Sequence, residues 1–134
     1  MDLSTVVSTS AAVVAVPTFV LLATSTGPRT RWLPAALLAL AFAGWSLYAI
    51  IDGGVLGFIP EHVGNPWETQ IWVDLLILGG TAWYLLQPRL RAAGVRPLPW
   101  LPLVLATGSI GMLCLVVRLL RAEGAAPSTV EAAP

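Results

Sequence analysis

Asp74 is the residue of this 134-residue chain best placed to do chemistry. It stands in an apolar run, I-W-V-D-L-L-I-L, about five residues or roughly 7 Å inside the start of a predicted helix. A carboxylate at that depth is costly, so it faces other helices and takes a partner. Arg118, in the last predicted helix, is the natural cation. That helix runs antiparallel to the one bearing Asp74 and would bring Arg118 to the same outer half of a membrane. The expectation is therefore an Asp74–Arg118 ion pair. Its plainest role is structural, fixing helix register. The alternatives are a ligand-headgroup or proton site, or an aspartate that merely snorkels to the interface. For a ligand, Trp45, Tyr48 and Trp72 would line an apolar pocket beside Asp74 and Arg118.

The other reactive types are less specific. Asp52, Glu61, His62 and Glu68 gather between the second and third predicted helices. Carboxylates and a histidine bind divalent cations, but no spacing here fixes a metal geometry as two histidines on adjacent helical turns would. A solvated acidic loop is expected, without a metal. His62 has no serine or cysteine partner in a nucleophile motif. The single Cys114 has no intrachain disulfide partner and reads as a small hydrophobe in an apolar run. There is no phosphate-cradling glycine loop and no CxxC. No helix carries the row of polar residues that a conduction path needs.

The elements that must position these residues follow from composition. The chain is 57% hydrophobic and 10% charged, with a mean hydropathy of +0.82. Soluble domains are roughly 25% charged, so an ordinary soluble domain and a disordered chain are both excluded. All seven basic residues are arginine, and seven acids cancel them. No field of one sign exists to attract nucleic acid. A bilayer core of roughly 30 Å needs about 20 helical residues, and four windows qualify: 6–24, 33–51, 69–86 and 98–120. The fold class is all-α, a polytopic four-helix membrane bundle over residues 1–121. A small, polar, proline-bearing tail over 122–134 is expected to be disordered. The first window could be a signal peptide, but no Lys or Arg precedes it, so a retained anchor is the better reading. Prolines 97, 99 and 102 sit at the entry of the fourth window, where a missing N–H costs little.

Loop charges set the orientation. Arg29 and Arg31 follow the first window; Arg89, Arg91 and Arg96 follow the third. The loop between the second and third has no arginine. The Arg-bearing loops are therefore expected in the cytoplasm and both termini outside, with Arg118 and Arg121 as exceptions to the pattern. Trp32, Trp83, Tyr84 and Trp100 would mark the inner interface and Trp67 and Trp72 the outer one, while Trp45 lies deeper. Ala35, Ala39 and Ala43, then Gly79 and Gly80, then Thr107, Gly108 and Gly111 give small surfaces for close helix packing. They would hold a compact bundle, or leave room for a flat, lipid-like ligand.

From Asn65 onward the chain resembles a family of small bacterial membrane proteins known as a domain of unknown function. The carrying residues are N-P-W-E-T-Q-I-W-V-D-L-L, then Gly94-Val95, then L-P-L-V-L-A-T-G-S-I-G-M-L closing on Arg118 and Arg121. A more distant similarity is to the abscisic-acid-deficient-four-like membrane proteins, implicated in neoxanthin synthesis in plants. Trp67 and Asp74, then Pro102, Leu105, Thr107 and Gly111, stand in that pattern, as does A-V-P-T-F-V-L-L followed by G-P-R-T-R-W. The family's histidine between the Trp and the Asp is missing, and Gly111-Met112 stands for its Gly-Pro. This resemblance implies an isoprenoid ligand.

The leading expectation is a non-catalytic accessory or scaffold subunit, with membrane lipids and a larger membrane complex or a homo-oligomer as partners. No cofactor is expected, with a bound lipid or isoprenoid as candidate ligand. The runner-up is an enzyme-like protein acting on a carotenoid or other isoprenoid, with Asp74 as its acid–base group. A third reading is a small oligomeric transporter. Catalysis or transport needs Asp74 open to a cavity; a scaffold needs it satisfied by Arg118.

Overall fold

The computed structural model describes residues 3–24 and 32–125, which are all-helical apart from their connections. Six helices follow in order: α1 (Leu3–Thr24), α2 (Leu33–Gly53), the single turn α3 (Pro60–Val63), α4 (Pro66–Ala92), α5 (Leu101–Thr107) and α6 (Ser109–Ala125). A 3-10 turn, Leu98–Trp100, leads into α5. Helices α2 and α4 are long and apolar enough to cross a membrane; the apolar stretches of α1 and of Leu98–Thr107 are shorter. Residues 126–134, most of the expected tail, lie outside the described residues, while 122–125 continue α6.

Local chemistry explains the ends of α4, which runs further both ways than the apolar window 69–86. Asn65 caps its start, accepting from the Trp67 and Glu68 amides at 2.9 and 3.1 Å. The Asn65 amide in turn donates to the Glu68 carboxylate, and Pro66 occupies the first turn, where it loses no hydrogen bond. At the other end Gly94 takes φ +69°. The Gly94 amide donates to the Arg91 carbonyl and the Val95 amide to the Leu90 carbonyl. This is a Schellman stop, and its customary apolar contact is present, because Leu90 and Val95 share one buried cluster.

The predicted single span over 98–120 is not formed. Gly108, at φ +57° and ψ −117°, breaks it into α5 and α6, and the two fold back on each other. A Cβ placed on Gly111 would lie 2.8 Å from the Leu103 carbonyl oxygen and from the Val104 Cα and N. Residues seven apart in a continuous helix stand about 10 Å apart, so the chain has reversed. Thr107 seals the reversal. Its hydroxyl donates to the Leu103 carbonyl and accepts from the Gly111 amide, at 2.7 and 2.9 Å. Thr107 and Gly111 thus serve this crossing.

Helix α6 is the hub. α2 and α5 pack along it, and the C-terminal end of α4 meets it. Leu90, Val95, Leu115 and Leu119 are buried together, with Trp83, Leu86 and Trp100 against them. Arg89 forms a two-pronged ion pair with Glu123, at 2.7 and 3.0 Å, and the Arg121 guanidinium lies 5.2 Å above the Trp32 ring. The end of α6 is therefore at the end of the bundle where α2 begins and α4 stops. Elsewhere little is buried: none of α1's described side chains, and only Ala39 of α2.

Candidate functional site

α4 carries the candidate site. Residues at three- and four-residue spacing share a helix face, and Asn65, Thr69, Gln70 and Asp74 form such a polar stripe with Pro66, Val73 and Ile77 between them. Together they line an open groove of about 660 Å³. Every lining residue belongs to α4 or its cap, so the groove is one helix face rather than an enclosed cleft. Asp74 is exposed and makes neither a hydrogen bond nor an ion pair among the described residues.

The expected Asp74–Arg118 pair is not made. Arg118 is also exposed, and the folding-back of α6 explains the separation. Arg89 beside Glu123 ties the two helix ends together. Asp74 lies roughly 22 Å from that level along α4 and Arg118 roughly 8 Å along α6, leaving about 15 Å between their depths. A continuous fourth helix would have closed that distance; the hairpin prevents it.

The aromatic candidates fall into two groups with no ring contact between them among the described residues. Trp45 and Tyr48 pack on each other along α2, centroids 5.3 Å apart. Trp72 meets His62 edge-to-face at 4.7 Å and Phe58 at 6.3 Å. The His62 Nδ1–H donates to the Phe58 carbonyl at the entry of α3, and the ring contact with Trp72 ties that turn to α4. Neither Trp45, Tyr48 nor Arg118 lines the Asp74 groove, and Trp72, two residues before Asp74, points away from it around the helix. Among the described residues no three His, Cys, Asp or Glu side chains converge as a metal-binding set.

A second concavity, about 370 Å³, lies at the opposite end, between Trp32 and the last two turns of α6: Leu120, Arg121, Gly124 and Ala125. Sequence reasoning missed it, as it missed the Arg89–Glu123 pair. The partners are 34 residues apart, and no local spacing announces them. The Asn65 cap and its Glu68 contact had a local signal, N-x-x-E before an apolar run. No family model matches the chain, and neither a curated protein nor a solved structure matches it.

Proposed function

We propose that the chain is a small integral membrane protein acting as a non-catalytic accessory or scaffold subunit, whose α4 groove receives a helix of a partner protein. One observation carries this reading: Gln70 and Asp74 lie side by side on an open face of a helix whose apolar span is not buried within the chain. In hydrocarbon, polar side chains are covered by another helix that hydrogen-bonds to them. With Arg118 out of reach, that cover comes from outside the chain. The five apolar side chains buried among the described residues, Ala39, Leu90, Val95, Leu115 and Leu119, make too small a core to hold such a molecule together in water. Rows of exposed leucine and isoleucine on α2 and α4, such as Leu75 to Leu78, suit lipid instead.

In this reading α1, α2 and α4 cross the bilayer, and α5–α6 dips in and returns on the side it entered. The N-terminus is outside and the end of α6 is cytoplasmic. All described arginines then share one side, with Arg29 and Arg31 preceding Trp32 in sequence, and Arg118 and Arg121 cease to be exceptions to the positive-inside rule. The broken backbone at Gly108 is acceptable at membrane depth because Thr107 and the α6 packing satisfy it.

A second reading, an enzyme-like protein acting on a carotenoid or other isoprenoid, is favoured by Asp74 being open rather than neutralised. It lacks an enclosed pocket with converging groups. The test is affinity purification of the full chain from native membranes in mild detergent, with mass spectrometry of proteins and extracted lipids. A stoichiometric protein partner is expected, and it is lost when Gln70→Leu and Asp74→Leu are combined. A lone chain carrying a defined isoprenoid or pigment overturns the scaffold reading in favour of the second.

A further inference from the structure

We propose that the concavity between Trp32 and the end of α6 binds the phosphate headgroup of an anionic phospholipid, with Arg121 as its cationic donor and Arg118, one turn earlier on α6, adding positive charge at its edge. The inference rests on the membrane orientation proposed above. The Arg121 guanidinium lies over the Trp32 ring, 5.2 Å from its centroid, within cation–π range. Among the described residues Arg121 makes no hydrogen bond or ion pair, and a planar guanidinium grips an oxyanion with two parallel hydrogen bonds. Arg118 stands one turn earlier on α6, exposed and without an acidic partner among the described residues. Gly124 and Ala125 line the concavity with small side chains. Trp32 sits at the start of a candidate spanning helix, the headgroup level at which indole rings collect.

Charge decides the lipid class. Among the described residues this end carries Arg89, Arg91, Arg96, Arg118 and Arg121, and its only acid, Glu123, is already bound to Arg89. Asp52, Glu68 and Asp74 lie toward the opposite end. A zwitterionic headgroup would leave the excess cations unbalanced; an anionic one neutralises them, and basic clusters at the cytoplasmic face select anionic lipid in this way. The concavity, about 370 Å³, is open rather than enclosed, which suits a hydrated headgroup better than an acyl chain.

The test places the full chain in vesicles of phosphatidylcholine doped with brominated phosphatidylglycerol or brominated phosphatidylcholine. Quenching assigned to Trp32 is the difference from a Trp32→Phe chain. Phosphatidylglycerol is expected to half-quench Trp32 at about tenfold lower mole fraction. Arg118→Gln with Arg121→Gln abolishes that preference, whereas Arg91→Gln with Arg96→Gln, which removes the same charge from residues that do not line the concavity, retains it. Soluble phosphate at high concentration leaves the quenching unchanged. Equal quenching by the two lipids overturns the site, as does a preference that survives loss of Arg118 and Arg121. Competition by soluble phosphate overturns the lipid as occupant. A chain stripped from the vesicles by alkaline carbonate instead overturns the membrane reading itself.

Discussion

Gly111→Ala tests the helical reversal most directly. The added methyl carbon would lie 2.8 Å from three backbone atoms of Leu103 and Val104, whereas carbon contacts settle at about 3.5–4.0 Å. No rotamer change relieves a clash with backbone, so α5 and α6 must part by about 1 Å. Overpacking of this kind costs about 1–3 kcal/mol. Alanine returns up to about 1 kcal/mol in helix propensity, leaving a net loss of about 1–2 kcal/mol. Gly44→Ala on α2 is the control, because a Cβ there meets nothing within 4 Å and only the propensity gain acts. Unfolding by sodium dodecyl sulfate in mixed micelles, followed by far-ultraviolet circular dichroism, gives both differences. The expected signs are opposite. A Gly111→Ala chain as stable as Gly44→Ala would mean that α5 and α6 do not cross at that point, and the hairpin would fall with it.

Two further outcomes follow from the same architecture. With Cys114→Ser as background, Ala93→Cys and Ala125→Cys should react with a membrane-impermeant maleimide from the same side of sealed vesicles and Val55→Cys, at an exposed loop position, from the other. Labelling of Ala93→Cys and Ala125→Cys from opposite sides would restore a continuous fourth span. At Gly94, held at φ +69°, alanine should cost about 1–2 kcal/mol and asparagine less, since asparagine tolerates the left-handed region. Equal loss of stability for the two, in the same mixed-micelle titration, would refute the Schellman stop.

Much of this fold is legible in the sequence because it is written locally. The apolar windows 33–51 and 69–86 mark α2 and α4, and Asn65-Pro66 and Gly94 announce where α4 starts and stops. The fourth window misleads for a physical reason. Leu98 to Leu120 is apolar enough to span, and a single glycine within an apolar run reads equally as a packing surface or a hinge. Only the meeting of Gly111 with the Val104 backbone decides between them. Asp74 is legible as the residue out of place; its partner is not. The proposed Arg118 depended on the depth of α6, and depth depends on the direction taken after Gly108.

That one glycine also changes what the charge composition means. Seven arginines and seven acids sum to zero, and the total hides any arrangement. Run straight, the last helix would carry Arg118 and Arg121 to the acidic end and dilute the asymmetry. Folded back, it places Arg121 over Trp32 and keeps Arg118 toward the end that carries the α4 arginines, and leaves Asp52, Glu68 and Asp74 toward the other end without a neutralising arginine among the described residues. The same turn that strips Asp74 of its partner within the chain builds the basic cleft. The open α4 groove and the Trp32–Arg121 cleft are thus two consequences of one backbone conformation. A straightened α5–α6 would be expected to close the first and empty the second together, so Gly111→Ala should weaken the phosphatidylglycerol preference of Trp32 in proportion to the hairpin it unfolds.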